Sequence, residues 1–364
     1  MKRLKRLGII LMCTVALNVC TVFAAATQTV LNREEAVRLA TENSTELKKL
    51  ALEVSSNREQ TEKISDAYFN NPTAAAYVDY ETNKMQNNLS KALTEQNIAK
   101  QKDMIEFLVS QYFISIIQEE IAYKQFEQSL VLEEQEFKIT ELKRNLGMIS
   151  EADYASKKAA YEKNIASKIA YEESIENAYR TLNRLIGSEL DTRYRLAYNV
   201  SYEELGEFDL AAHIKKAKQN DRTLQTLETN IEKTHYSLNH YNLTNHNPLT
   251  GELTEGRISR ESLNRDLETY RLEQSERNKT IEDTFQSKYD AILVQERQYK
   301  EKLTELENLK KQLEIKEVQL TLGKITPLEV ENHKFSILKL ENEIQRLVYN
   351  HQMNILEFSN INLM

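Results

Sequence analysis

The chain has 364 residues, and its 56 acidic residues outnumber its 48 basic ones, which gives a net charge of −8. Because nucleic-acid phosphates repel an acidic protein, this balance argues against a nucleic-acid partner. Seven glycines, three prolines and no tryptophan leave few interruptions to helices, so the composition favours long, exposed, bundled helices over a compact globule.

Residues 1–26 have the pattern of a secretory signal peptide. The basic start MKRLKR is followed by an apolar run from Leu7 to Phe23 and by three alanines. This order predicts cleavage after Ala26 and export; a retained anchor is the alternative, although the run is short for a membrane span. Both cysteines, Cys13 and Cys20, lie in this segment, so the mature part has neither disulfides nor thiols. The mature part keeps 44 basic and 56 acidic residues, a net charge near −12.

The rest of the chain contains the same landmarks twice, at a nearly constant offset. Such an offset indicates a tandem duplication of about 176 residues. The sequence therefore predicts two structural repeats, 27–200 and 201–364. The landmarks are Gly147 and Gly323, and Pro72 and Pro248, which are 176 apart, together with Asn43 and Asn220, and Leu47 and Leu224, which are 177 apart.

Each repeat has the same predicted order of elements. An amphipathic helix comes first, a break with a proline follows, and a long helix then runs to a Leu-Gly turn from which another helix returns. Apolar residues three and four apart on the long helices are typical of coiled-coil seams. Because one hairpin cannot bury these stripes alone, partners are needed. The stripe residues are Ile105, Val109, Tyr112, Ile116, Tyr123, Phe126, Leu130 and Phe137, and then Tyr299, Leu306, Leu313, Leu320, Ile337, Leu340, Ile344, Leu347, His351 and Ile355.

The two turns have related sequences, LGMIS at 146–150 and LGKIT at 322–326. Gly147 and Gly323 can adopt the left-handed conformation that ends a helix. Ser150 and Thr326 can cap the next helix, and Pro327 suits its first position. We therefore predict that both segments are the tips of helical hairpins.

With this plan the sequence resembles the TolC family of outer-membrane efflux proteins. The resemblance lies in the opening EEAVRLATENSTELKKL, the two-copy organisation, both tips with their return helices, and LNRLIG at the end of the first copy. It implies an all-α fold of long antiparallel coiled-coil hairpins in two tandem repeats. Three such chains would close a hollow helical α-barrel.

The resemblance also implies a function. The chain would form the conduit of an envelope-spanning efflux or type I secretion system, as a homotrimer in the cell envelope, and in the outer membrane of an organism that has one. Its partners would be a membrane-fusion adaptor protein and an inner-membrane transporter. The alternative is an exported coiled-coil scaffold that keeps the fold without channel activity.

The resemblance assigns the tips to adaptor docking. Ile149 and Ile325 lie just before the caps, where we expect them to project from the tip. The family often has acidic residues six and nine positions after the second tip glycine; here these are Glu329 and Asn332, only one of which is acidic. With Asp153 they are the candidates for a constriction. The implied docking residues are Leu146, Gly147, Met148, Ile149, Ser150, Leu322, Gly323, Lys324, Ile325 and Thr326.

The two breaks depart from the family, which inserts membrane β-strands there. A spanning strand needs roughly 9–11 residues with outward-facing apolar side chains. Only Thr73–Glu81 approaches this pattern, and the second break, PLTGELTEGRISRESL, is charged. We therefore expect the β-barrel strands to be short or absent; either the barrel is missing or a short cap replaces it.

Candidate chemistry elsewhere is weak. His235, His240 and His246 are five and six apart, which places them on no common helical face for a metal. With His213 they are interpreted as polar surface. No Ser-His-Asp or Cys-His set can be placed around a pocket. The sequence predicts no enzyme, no cofactor and no metal site.

Overall fold

The computed structural model of the chain describes residues 29–70, 72–245, 250 and 259–363. The expected signal peptide and most of the second break, including His246, lie outside these residues. In chain order the described elements are β1 (Val30–Asn32), α1 (Arg33–Asn43), α2 (Thr45–Asn70), α3 (Ala74–Asn145), α4 (Glu151–Ala166), α5 (Lys168–Ile186), β2 (Arg195–Ala197), α6 (Leu210–Asn220), α7 (Arg222–Asn239), α8 (Tyr241–Asn245), α9 (Arg260–Thr321) and α10 (Pro327–Ser359).

Two long helical hairpins form the molecule. Helix α3 has 72 residues and α9 has 62, so each is on the order of 100 Å long at 1.5 Å per residue. Helices α4 and α5 return along α3, and α10 returns along α9. Helix α3 also packs against α10, which joins the hairpins, while α2 and α7 cover the ends far from the tips. The all-α fold of long antiparallel hairpins is confirmed.

Each hairpin has its own apolar core, and the two cores use matching positions. In the first, β1, α1, α3 and α5 contribute the buried residues; in the second, α6, α7, α9 and α10 do. Because each core lies far from the tips, the tips are carried on long helices that are anchored at the other end. The matched core residues are Ala40 and Ala217, Ile105 and Ile281, Val109 and Phe285, Ile116 and Ile292, and Leu182 and Phe358.

The short helices begin with matching caps. The Asn32 side chain accepts a hydrogen bond from the N–H of the third residue of α1, and Asp209, 177 residues later, does the same in α6. Ser44 and Asp221, also 177 apart, cap α2 and α7 in the same way. An oxygen side chain at this position satisfies an N–H that the helix leaves unpaired. The repeated caps fix the bends between the paired short helices.

The first break is helical at the one stretch that approaches a strand pattern in the sequence. The stretch Thr73–Glu81 is helical from Ala74 onward, and the Thr73 hydroxyl accepts the Ala76 N–H at 3.0 Å as the cap of α3. Three alanines after a threonine favour a helix start over an extended strand. No helix that the structure describes combines the length and apolarity needed to cross a bilayer.

Strands β1 and β2 were not predicted. They are three residues each and pair in parallel, with Leu31 opposite Leu196. Leu31 is buried in the first core. The pair therefore ties the start of the first repeat to the segment that leaves its return helix.

Candidate docking site at the hairpin tips

Both long helices end in the same turn. Gly147 and Gly323 each have a φ of +68°. In the first tip the Met148 N–H donates to the Lys143 carbonyl at 2.8 Å, and in the second the Lys324 N–H donates to the Gln319 carbonyl at 2.9 Å. These bonds, with a left-handed glycine, make the Schellman motif that ends helices. The two predicted turns are therefore identical in backbone bonding.

The return helices start with side-chain caps. The Ser150 hydroxyl accepts the Asp153 N–H at 3.0 Å, and the Thr326 hydroxyl accepts the Glu329 N–H at 3.3 Å. The Glu329 carboxylate in turn accepts the Thr326 N–H at 2.7 Å, which completes a capping box. These hydrogen bonds from the backbone and the hydroxyl of Thr326 lower the pKa of Glu329. The second tip thus has a capping box in addition to the side-chain cap that both tips share.

The exposed apolar side chains at the tips are not the expected isoleucines. Leu146, Met148 and Leu322 are 65%, 66% and 63% exposed. Ile149 and Ile325 are only half-buried and do not project freely. The expectation for these isoleucines was wrong, and the apolar surface of the tips lies on the Leu of each Leu-Gly pair and on Met148.

The exposed apolar surface also extends up both long helices. Ile139 and Leu142 precede Leu146 on α3, and Ile315 and Val318 precede Leu322 on α9, at an offset of 176. All four are exposed, and spacings of three and four place each set on one helix face. We call Ile139, Leu142 and Leu146 with Ile315, Val318 and Leu322 the tip stripes. The sequence contains these apolar residues at the same spacing before both turns, and that repeated spacing could have indicated the tip stripes.

The three constriction candidates have local bonding partners. Asp153 accepts a hydrogen bond from the Ser150 hydroxyl at 2.7 Å, and Glu329 belongs to the capping box. The Asn332 amide donates to Glu136 of α3 at 3.2 Å. No hydrogen bond or ion pair between described residues joins Asp153 to the other two. Within one chain these side chains organise the tips and the contact between the hairpins.

The contact between α3 and α10 is bridged by amide side chains. An Asn on or just after α10 meets a Gln, Glu or Asp on α3 in each case, and the sequence did not predict these pairs. We call this set the amide ladder. Its pairs are Asp103 and Asn362 at 2.7 Å, Gln118 and Asn350 at 3.4 Å, Gln125 and Asn342 at 2.9 Å, and Glu136 and Asn332 at 3.2 Å.

The histidines have structural contacts. His351 is 2% exposed, and its Nε2 lies 3.1 Å from the Glu203 carbonyl, as a seam residue should. His213 was expected at the surface but is half-buried, with Nε2 2.7 Å from the Phe358 carbonyl. No cluster suited to a metal ion occurs in the part of the chain that the structure describes.

The fold of this chain, two long helical hairpins that pack side by side and end in paired tips, resembles the fold of solved outer-membrane channels. CusC, whose structures concern folding and transmembrane channel formation, has a TM-score of 0.60 at 12% identity, over 91% of both chains. The Campylobacter jejuni CmeC outer membrane channel has a TM-score of 0.57 at 10% identity, over 91% of this chain and 85% of CmeC. The outer membrane protein VceC from Vibrio cholerae has a TM-score of 0.56 at 10% identity, over 91% of this chain and 94% of VceC.

Similarity at these identities shows the fold, and the TolC-like fold expected from the sequence is confirmed. No model of a protein family matches the chain, and no curated protein matches it in sequence. The likeness therefore rests on the order and the packing of the helices; the duplicated landmarks of the sequence had indicated the order.

Proposed function

We propose that the mature chain is the conduit component of an envelope-spanning efflux or type I secretion system. Three copies close a helical tube, and the hairpin tips dock an adaptor protein that connects it to an inner-membrane transporter. Residues 27–200 and 201–364 are its two repeats, a division that the matched caps and cores support. The similar structures are channels and not enzymes, which favours transport over catalysis.

The tip stripes carry this proposal. Turns that served only to reverse the chain would need the glycines and the caps, and nothing more. Here both long helices also expose three apolar side chains at matching positions over their last two turns. Large apolar side chains that are exposed together mark interaction surfaces more often than chance. Because an amphipathic helix of a partner can lie along such a stripe, docking of a helical adaptor fits this surface.

Replacing Leu146→Asp and Leu322→Asp together tests the docking role. Both side chains are exposed, so helicity and assembly should stay almost unchanged, while pull-down of the co-expressed membrane-fusion adaptor should be lost. Leu52→Asp, at a 72% exposed position on α2, is the matched control and should bind normally. Normal adaptor binding by the tip variant would show that the tips are turns and nothing more.

The scaffold alternative makes a different prediction for transport. An exported scaffold would assemble and bind neighbours, yet its deletion would leave efflux and secretion unchanged. For a conduit, deletion should raise the sensitivity of the cells to the compounds exported by the cognate pump, and the tip variant should reproduce that sensitivity. The Leu52→Asp control should restore export in the deletion strain.

A further inference from the structure

A groove lies where α3, α7 and α9 run beside one another, far from the tips. Its cavity volume is about 760 Å³, and pockets for small molecules have volumes of roughly 300–1,000 Å³. Helix α3 lines it with Leu93, Gln96 and Lys100, whose spacing of three and four places them on one face of the helix. We call this cavity the three-helix groove. It is large enough to hold a small molecule.

The Gln96 side chain ends a chain of amide groups at this groove. An ionised carboxylate only accepts hydrogen bonds, so Asp103, 2.7 Å from the Asn362 nitrogen, fixes the orientation of that amide. The Asn362 oxygen accepts from Asn220 at 2.7 Å, and the Asn220 oxygen faces the Gln96 nitrogen at 3.5 Å. This order directs the Gln96 Oε1 away from the chain of amides. That oxygen is buried and has no hydrogen-bond partner among the residues that the structure describes, so an occupant with an N–H or O–H donor would satisfy it.

The charges that line the groove favour an anion. Lys100 is half-buried, and no hydrogen bond or ion pair within the described part of the chain involves it. The Arg277 guanidinium is held by the Asp221 carboxylate through contacts of 3.2, 3.1 and 2.6 Å. Arg222 is a third cation of the lining, while Glu273, which is exposed, is its second carboxylate. An acidic chain thus has a local excess of positive charge here, which attracts negatively charged ligands.

The floor of the groove is apolar. Leu227, Ile281 and Phe285 line it and are each 5% exposed or less. The duplication does not repeat the polar part, because Gln96 and Lys100 correspond to Leu272 and Glu276, which lie 176 residues later. The amide and the ammonium are therefore not a requirement of the repeated fold.

We propose that the three-helix groove binds a small amphiphilic anion. Its apolar body lies on the floor, its anionic group meets the Lys100 ammonium, and an N–H or O–H group donates to the Gln96 Oε1. Side chains four residues apart on a helix have Cβ atoms roughly 5–6 Å apart, so the donor and the anionic group are neighbours in the ligand. The inference goes beyond the proposed conduit and does not depend on it.

Two related probes test this site. The compound 8-anilinonaphthalene-1-sulfonate has an apolar body, an N–H group and a neighbouring anionic group, and N-phenyl-1-naphthylamine lacks only the sulfonate. Fluorescence titration of the exported protein should give one site per chain for the sulfonate. Its affinity should be about tenfold higher than that of the uncharged amine, since a hydrogen bond to a charged group contributes at least that much.

Three variants assign the contacts. Lys100→Gln should lower the affinity for the sulfonate about tenfold and leave that for the amine unchanged, which also shows that the groove is intact. Gln96→Met should weaken both probes about three- to tenfold, because both carry the N–H group. Lys102→Gln is the matched control and should change neither affinity, since Lys102 is exposed and lies on the opposite face of α3.

The sulfonate also binds exposed apolar surfaces, so the tip variant Leu146→Asp with Leu322→Asp is titrated in parallel and should bind it normally. Loss of binding in that variant would place the probe on the tip stripes and would overturn the inference. Equal affinity for the two probes, no saturable binding of the sulfonate, or unchanged binding by Lys100→Gln or Gln96→Met would overturn it as well. None of these results bears on the conduit, which the deletion strain tests separately.

Discussion

Two glycines with positive φ angles have very different surroundings. At Gly323, with a φ of +68°, nothing lies within 4 Å of the position that a Cβ would take. At Gly187, with a φ of +75°, an added Cβ would meet the Asn43 side chain at 2.9 Å. That asparagine donates to the carbonyls of Arg184 and Leu185 at 3.2 and 3.1 Å. Asn43 was recognised in the sequence only as a landmark, and its role is to close the end of α5.

We therefore expect alanine to cost different amounts at the two glycines. Gly323→Ala should lower the free energy of unfolding by about 1 kcal/mol, the cost of a left-handed alanine. Gly187→Ala should lower it by about 2–3 kcal/mol, because Asn43 must also move away from the carbonyls that it binds. Urea denaturation followed by circular dichroism measures both values. Equal losses would show that Asn43 adapts freely.

The capping box at the second tip should make that tip sensitive to acid. Hydrogen bonds from Thr326 lower the pKa of Glu329, so the stabilisation is complete above the ordinary glutamate pKa. It is lost as the pH falls through the lowered value. Hydrogen exchange at residues 322–329 should therefore quicken in acid, beyond the change expected from chemistry alone.

Two variants check that Glu329 is responsible. Glu329→Gln should remove the acid-induced change while keeping most of the cap at neutral pH, since glutamine also serves in capping boxes. Thr326→Ala removes the hydroxyl but keeps the backbone N–H that donates to Glu329, so it should reduce the change without removing it and should cost about 1 kcal/mol at neutral pH. An acid response that persists in Glu329→Gln would have another origin.

Much of the tip chemistry could be predicted from the sequence, since glycine and cap preferences are local. The error over the isoleucines has a local cause as well. Ile149 and Ile325 precede the N-caps, and such residues often pack against the fourth residue of the helix. In the second tip that residue is Val330, which is 2% exposed. An apolar residue beside a turn can thus belong to the turn itself.

At the scale of the helices, the amide ladder should tolerate some acidic substitutions and not others. Asn332→Asp places a carboxylate beside Glu136, and like charges on neighbouring positions cost on the order of 0.5 kcal/mol. Asn342→Asp faces Gln125, whose amide can turn its N–H groups toward a carboxylate. We expect a loss of stability for the first variant only.

The dependence of stability on salt concentration distinguishes repulsion between like charges from the loss of an amide group. The destabilisation by Asn332→Asp should shrink at high ionic strength, because exposed charges are screened. Urea midpoints at low and high salt for both variants provide the measurement. If Asn342→Asp proved as damaging as Asn332→Asp, the ladder would depend on its amides rather than on charge.

The positions of the helices were predictable, because the spacing of apolar residues and the residues that end helices can both be recognised within a single short segment of the sequence. Which helices pack against each other was not predictable, because residues such as Asn342 and Asn350 are polar, as residues exposed to solvent usually are. Only packing shows that they lie on a contact. The stretch Thr73–Glu81 was ambiguous, since alternating apolar residues in a short run fit a strand or a helix; the Thr73 cap and the alanines that follow favour the helix.

At the scale of the whole molecule, the duplication makes a single chain incomplete. Its two hairpins meet along one contact, while the matching faces of α9 and of α4 with α5 stay open. Seam residues near the second tip, such as Leu306 and Leu313, are only half-buried. The sequence had indicated that partners are needed, but the register between repeats required the structure. Further copies of the same chain would cover these surfaces.

The mass of the exported protein in solution tests the conduit most directly. Light scattering at micromolar concentration should give the mass of three chains, and circular dichroism of the same sample should be almost purely helical. Assembly should be retained in the tip variant Leu146→Asp with Leu322→Asp, since Leu146 and Leu322 are the C-caps of α3 and α9 and lie at the very end of the long helices. A stable, fully helical monomer at that concentration would contradict the proposal of a trimeric conduit.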